Sequence, residues 1–153
     1  TRLVVVQHAS NVTGAIQPIA DIGEVVRAGR SRFLVDAAQS AGHLPIDLSK
    51  VPVDVLVSPG HKGLLGPLGT GVVCLRAGFE HELEPLRLGG TGTNSEDDQQ
   101  PLRLPERYES GNHNAPGLVG LEAALAYLQS ETIERLRDRE AELTGRLVEG
   151  LRS

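Results

Sequence analysis

Ser58-Pro59-Gly60-His61-Lys62-Gly63-Leu64-Leu65-Gly66-Pro67-Leu68-Gly69-Thr70-Gly71 is the stretch whose reading decides the fold. An apolar run, Val53-Asp54-Val55-Leu56-Val57, enters it, and a second run, Val72-Val73-Cys74-Leu75, leaves it. Read as strands, the two runs deliver a lysine to a glycine-rich turn where the backbone can approach a ligand closely. Glycines 60, 63, 66 and 69 leave no helical period between the runs, so no crossover helix joins them. The strand over 71–75 is therefore expected to run antiparallel to its predecessor. Lys62 is one of two lysines, and the remaining basic residues are arginines. Lysine can lose its proton in a desolvated pocket and form an imine, whereas arginine stays charged. Taken alone, Lys62 reads as a surface lysine in a flexible turn. Its company upstream changes that reading.

Two more strand-to-loop junctions precede it. Leu3-Val4-Val5-Val6 leads into Gln7-His8-Ala9-Ser10-Asn11-Val12-Thr13-Gly14, and Phe33-Leu34-Val35 leads into Asp36-Ala37-Ala38-Gln39-Ser40-Ala41-Gly42. Short valine-rich runs bounded by turn residues read as strands buried on both faces. In open α/β sheets, ligands sit beyond the carboxyl ends of the strands. Asn11, Asp36, Gln39 and Lys62 are then expected to converge on one edge of one sheet. An imine-forming amine, a carboxylate and neutral amide donors are what a pyridoxal phosphate site asks for. The amine holds the cofactor aldehyde, the carboxylate keeps the ring nitrogen protonated, and backbone amides with polar side chains hold the phosphate.

These residues resemble a known family. "HASNVTG", "VDAAQSAGHLPIDL", "SPGHKGLLGPLGTGVV" and "YESGNHNAPGLVGLEAAL" are similar, in order and spacing, to the class V aminotransferases, and within them to the cysteine desulfurase and selenocysteine lyase branch. The resemblance runs from about Arg2 to the last helix. It implies Lys62 as the internal-imine lysine, Asp36 as the carboxylate on the pyridine nitrogen, and Gln39 and Asn11 beside the cofactor's phenolic oxygen. It further implies His61 as a phosphate contact. Two positions depart from the family pattern. Its Ser or Thr three residues before the lysine is here Pro59, with Ser58 one residue earlier, and its Glu-x-Gly-Thr segment reads Glu109-Ser110-Gly111-Asn112. Ser58 and Asn112 are the candidates for those two phosphate contacts, Asn112 toward the cofactor of a partner subunit.

The implied fold is α/β: a mostly parallel sheet flanked by helices, with one antiparallel strand, as part of the large domain of type I pyridoxal-phosphate-dependent transferases. The implied activity is release of sulfur from L-cysteine, leaving alanine, with Lys62 as the proton-transfer base. The implied partners are a small amino-acid substrate, a second subunit sharing the active site in a homodimer, and a sulfur-acceptor protein. The same core supports other class V reactions (selenocysteine lyase, aminotransferase, epimerase). A non-catalytic relative kept for dimerisation or regulation is the alternative outside enzymology.

At 153 residues the chain is one domain's worth, yet it enters a strand within two residues of Thr1 and closes on Ser153 just past a helical pattern. That reads as a fragment, and members of the family are more than twice as long. The family's nucleophilic cysteine and its arginine for the substrate carboxylate belong to a C-terminal portion beyond Ser153. A formal net charge of −5 with both signs mixed argues against a nucleic-acid or anionic-membrane partner. No run approaches a membrane span and no signal peptide opens the chain. One cysteine and no methionine suit a reducing, cytoplasmic setting.

Three regions are expected: a sheet core with the cofactor lysine over 1–78, a long loop region over 79–115, and C-terminal helices over 116–153. In the first, Pro18 opens a helix carrying Ile19, Ile22 and Val26, stopped at Gly29, which makes a right-handed parallel unit. Residues 43–51 are too short for a long crossover helix. In the second, Ser95-Glu96-Asp97-Asp98 reads as a solvated acidic loop, and Gly89–Thr93 with Glu109–Asn112 as contacts to a neighbouring subunit, by resemblance. In the third, Pro116 opens a helix with Leu118, Leu121, Leu125 and Leu128 inward. Ser130 caps a last helix bearing Ile133, Leu136, Leu143 and Leu147 on one face. Its outer face pairs Glu131 with Arg135 and Glu142 with Arg146.

Rival chemistry is weak. A phosphate-binding nucleotide loop needs Gly-Lys followed by Ser or Thr, whereas Lys62 follows His61 and precedes Gly63. The histidines (8, 43, 61, 81, 113) lack His-Glu-x-x-His spacing, and one cysteine builds no zinc cluster. Asp36 alone reads as well as a cap on the loop after its strand. His8 reads as a satisfied structural histidine, and Cys74 as a small buried apolar residue.

Overall fold

A computed structural model describes residues 1–90 and 99–152. Four strands form one sheet in the order β1 (Leu3–Gln7), β2 (Arg32–Asp36), β3 (Val55–Pro59), β4 (Gly71–Leu75). β1 and β2 are parallel with Leu3 opposite Arg32 and Gln7 opposite Asp36, and β2 and β3 are parallel with Leu34 opposite Val55. β4 turns back antiparallel on β3, pairing Pro59 with Gly71, as expected for a connection without a crossover helix. Helix α1 (Ile19–Ala28) crosses from β1 to β2, and α2 (Ala115–Glu131) and α3 (Ile133–Arg152) close the chain. The acidic stretch Ser95–Asp98 and the segment Thr91–Thr93 lie outside the described residues.

The register sorts the strand side chains by face. Val4, Val6, Phe33, Val35, Leu56 and Val72 share one face, because alternate residues of a strand point the same way. All three helices use that face. α1 brings Ile19 and Val26 onto Phe33, Val35 and Leu56, and the full burial of Phe33 and Val35 contributes about 1.5–3 kcal/mol each. Leu121 and Leu128 of α2 meet Leu64 from the glycine-rich turn, with Val72, Leu125, Ile133 and Leu136 around them. On the other face Leu3, Val5 and Val73 are exposed. The expectation of strands covered on both faces is therefore corrected in part: among the described residues α1, α2 and α3 all lie on one side, and on the other Val55 is buried while its neighbours Leu3, Val5 and Val73 are not.

Edge position also overturns the buried reading of Cys74. β4 has only β3 beside it, and Cys74 is exposed. Three helical details differ from expectation. Pro18 is the cap residue before α1 and not its first helical position. Leu118 is exposed, because the buried stripe of α2 runs through Gly117, Leu121 and Leu128. Ser130 sits inside α2, its hydroxyl donating to the Tyr127 carbonyl at 2.8 Å, while Thr132 receives the Arg135 amide at 3.4 Å and caps α3. On α3, Ile133 and Leu136 pack against the second cluster, but Leu143 and Leu147 are exposed. The expected pairs do form, Glu142 with Arg146 at 4.0 Å along α3 and Glu131, the last residue of α2, with Arg135 of α3 at 3.0 Å.

The loops beyond β2 and β3 meet backbone to backbone. Gly42 has φ +87°, and a Cβ on it would run into the Gly63 carbonyl. Gly63 in turn lies against the Ala41 carbonyl and the His43 ring. Side chains are excluded at both positions, so the turn carrying Lys62 rests directly on the loop carrying Asp36 and Gln39. Substituting Gly42→Ala adds a clash to a left-handed backbone, and is expected to destabilise the full-length protein by about 2–4 kcal/mol in denaturant melts. A loss within about 0.5 kcal/mol, the range of an ordinary surface change, would show that the two loops are not in contact.

Candidate functional site at the carboxyl edge of the sheet

The parallel strands β1, β2 and β3 end together. Gln7 pairs with Asp36 and Asp36 with Val57, while the His8 amide donates to the Asp36 carbonyl at 2.8 Å and the Ala37 amide to the Val57 carbonyl at 2.9 Å. Whatever follows each strand is thereby delivered to one edge. Asn11 lies in the turn after β1, Asp36 and Gln39 at the end of β2 and just beyond it, and His61 and Lys62 just after β3.

The side chains at this edge are for the most part unspent. Asp36 is half-buried, and its Oδ1 accepts from the Ala38 amide at 2.8 Å. That bond is the loop cap anticipated for a carboxylate after a strand, and it leaves Oδ2 without a partner among the described residues. Lys62 and Gln39 are half-buried, and neither side chain has a hydrogen bond or ion pair among the described residues. Asn11 and His61 are exposed and likewise without side-chain partners among those residues. A carboxylate oxygen, an amine, two amides and an imidazole are thus free for a ligand. Partly desolvated polar groups without partners are costly in a fold that has no use for them.

Two candidates are placed differently. Ser58 belongs to β3, is buried, and turns its hydroxyl to the Pro59 carbonyl at 3.4 Å. Asn112 is exposed in the loop before α2, where the Gly111 amide donates to the Gly90 carbonyl at 2.8 Å. No contact joins Asn112 to the Lys62 edge among the described residues. Among those residues, too, no group of three or more His, Cys, Asp or Glu side chains could hold a metal ion.

The Lys62 turn is built by its own backbone. Its base is closed by the Gly60 amide on the Thr70 carbonyl at 2.8 Å and by the Gly66 amide on the Gly60 carbonyl at 2.7 Å. α2 buttresses it from behind: Gly66 lies under Leu121 and Pro67 under Gly120. The first turn of α2 is capped by Asn114, whose Oδ1 accepts from the Gly117 amide at 3.2 Å.

A buried pair beneath the edge joins the first two loops. His8 is 7% exposed and Ser40 fully buried, with Nδ1 and Oγ 2.9 Å apart. The structural reading of His8 holds, and its partner is the neighbour of Gln39. A side-chain bond between positions 8 and 40 has no signature in sequence. The same is true of the ion pair between His43 and Glu140, 2.8 Å long, which sequence reasoning missed. A signal for it did exist, since Glu140 interrupts the apolar stripe Ile133, Leu136, Leu143, Leu147.

The model of the family described as aminotransferase class-V matches residues 1–153. This chain belongs to that family. It is 39% identical to a probable cysteine desulfurase of Pyrococcus abyssi over 98% of its own length and 38% of the relative's. It is 36% identical to the cysteine desulfurase IscS of Methanosarcina thermophila, over 99% of this chain and 33% of that one. Among solved structures, the apo cysteine desulfurase from Thermococcus onnurineus NA1 superposes with a TM-score of 0.86 at 37% identity, covering 98% of this chain and 38% of that one. The class-V chain therefore spans less than two fifths of the length of these relatives, and the sheet with its reversed fourth strand is a part of their fold.

Burial holds the His8 pKa below the usual histidine value of 6.5, because desolvation disfavours the charged ring. His8 thus folds neutral. The stability that it contributes is present above pH 6.5 and is lost as pH falls from there toward its folded value, since the unfolded chain takes up the proton more readily. Urea unfolding of the full-length protein should show a steeper loss between pH 7.5 and 5.5 than the same measurement on His8→Gln. Equal slopes would mean that His8 is not desolvated.

Proposed function

We propose that this chain is the part of a pyridoxal-phosphate-dependent cysteine desulfurase that carries the cofactor lysine and the cofactor-ring carboxylate. The observation that supports this most is the unpartnered set Asp36, Gln39 and Lys62, gathered from two loops that touch through Gly42 and Gly63. The naming of the relatives as cysteine desulfurases supports the choice among class-V reactions.

The donor set fits the cofactor. When bound, pyridoxal phosphate supplies an electron-accepting ring that weakens bonds at the substrate's α-carbon. Lys62 Nζ, half-buried and without a side-chain partner among the described residues, is the group able to hold its aldehyde carbon covalently. The free Asp36 Oδ2 would hold the proton on the ring nitrogen, kept in place by the Ala38 amide on Oδ1. Gln39 and Asn11 are neutral donors for the phenolic oxygen, and His61, exposed beside Lys62, can reach an anionic group. The same Lys62 Nζ would be the group to move the proton at the substrate α-carbon. With the cofactor bound, Asp36 would hold the ring nitrogen, Lys62 the aldehyde, and Gln39 and Asn11 would supply neutral donors. The substrate is L-cysteine, released as alanine with its sulfur passed to an acceptor protein. A second subunit contributes Asn112 to the neighbouring phosphate.

Borohydride treatment of the full-length protein loaded with cofactor should leave the cofactor's mass on the peptide containing Lys62. Lys62→Arg keeps the positive charge but should abolish sulfide release, because guanidinium stays protonated. Mass on the Lys50 peptide, or turnover surviving in Lys62→Arg, would overturn the assignment. A separate expectation concerns Asp36→Asn, which keeps the shape and removes the charge. Cofactor should still bind, while kcat for alanine formation falls by roughly 10²-fold or more, the scale of losing a positioned acid–base group. Turnover near wild type would make Asp36 only a loop cap.

A further inference from the structure

The ring of His43 lies against Gly63, the residue after Lys62. A Cβ on Gly63 would stand 2.6 Å from His43 Cδ2 and 2.8 Å from its Nε2. The other ring nitrogen, Nδ1, is 2.8 Å from Glu140 Oε1 on α3. The backbone of His43 is fixed as well, its amide donating to the Ser40 carbonyl at 3.0 Å in the turn that also carries Gln39. One side chain therefore touches the Lys62 turn, springs from the Gln39 loop and is held by the last helix.

Glu140 is placed for this by helical spacing. It stands four residues after Leu136 and seven after Ile133, both packed on the cluster that includes Leu64 of the same turn. Glu140 thus stands on the side of α3 that carries Ile133 and Leu136, and His43 is its partner there. As a stabilising pair it is worth little, with the two side chains 40% and 52% exposed. Its geometric effect is larger, because it selects one rotamer of a ring that covers a glycine with no side chain of its own.

We infer that His43 is a positioning residue for Lys62, its ring clamped over Gly63 by Glu140, so that α3 helps to set where the amine stands. The inference rests on the reading of Lys62 as the reactive amine. The clamp acts on the turn before any cofactor arrives, which allows a test separate from turnover.

Cofactor-free full-length protein is labelled with a limiting amount of an amine-acetylating reagent, and the Lys62 and Lys50 peptides are compared by mass spectrometry. Lys50 is an internal reference, exposed on another loop. His43→Ala and Glu140→Ala should each raise the Lys62-to-Lys50 ratio by roughly two- to ten-fold, the range that loss of one hydrogen bond allows. Glu140→Gln keeps an oxygen for the Nδ1–H and should hold the ratio near that of the unsubstituted protein. In the loaded enzyme the two alanine variants should lower kcat more than they raise KM. Thermal melts run alongside separate a loosened turn from a loosened fold, and both side chains are exposed enough for the variants to fold. Unchanged ratios in both alanine variants would overturn the clamp, as would a Glu140→Gln ratio as high as that of Glu140→Ala. Turnover surviving in Lys62→Arg would instead sink the functional reading and leave the labelling result standing.

Discussion

The contact between Gly42 and Gly63 is the constraint on which the rest of the candidate site depends. Two loops that leave neighbouring parallel strands diverge unless something draws them together, and here the attraction works at the shortest range available to a chain. A carbonyl of one loop sits where the other would carry a Cβ. Gly42 can accept this because its φ of +87° is open to glycine, and Gly63 because it leaves room for the Ala41 carbonyl. The loops that carry the carboxylate and the amine are thus held against each other at backbone contact distance. The glycine-rich composition of the turn is a consequence of close approach and not of flexibility.

The sheet supplies the other half of the positioning. In parallel strands the register determines which residues leave the sheet level with one another. Gln7, Asp36 and Val57 leave together. The reversal of β4 then matters for a second reason. It returns the chain from Pro59 to Gly71 at the same edge, so that the Lys62 turn is pinned at both ends by one ladder. α2 closes the turn from the helix side through Leu121 and Gly120. The opposite face of the sheet, where Leu3, Val5 and Val73 are exposed, is the one to which the register assigns Asp36.

Much of this was legible in the sequence, for reasons that can be named. Valine-rich runs ended by polar residues place β1, β2 and β3, and the absence of helical period after Ser58 foretells the antiparallel return. Candidate residues were legible because unusual chemistry, a rare lysine or a carboxylate at a strand end, coincides with a strand terminus. What escaped has the opposite character. The burial of both sheet faces was expected from apolar composition, yet composition cannot say on which side a helix will land. Cys74 reads as a core residue in sequence because a strand's place in the sheet order, edge or centre, is not a local property. Thr132 displaced Ser130 as the cap of α3 because α2 runs on through Ser130, whose hydroxyl is satisfied within the helix. His8 with Ser40 and His43 with Glu140 join positions far apart in the chain, and no periodicity encodes them.

These two histidines show how the fold divides its polar groups. His8 is buried, neutral and paired, and it ties the Asn11 loop to the Gln39 loop from beneath. His43 lies nearer the surface and is held by a carboxylate that stability alone would not select. Asp36, Gln39 and Lys62, on the loops that these histidines join, have free groups that the chain leaves without partners among the described residues. A fold selected for stability alone would pair or discard such groups, because partly desolvated donors and acceptors without partners cost free energy. Here His8 and His43 are paired, while the free groups of Asp36, Gln39 and Lys62 have no partner among the described residues. That distribution is what the proposed cofactor site would require of the chain.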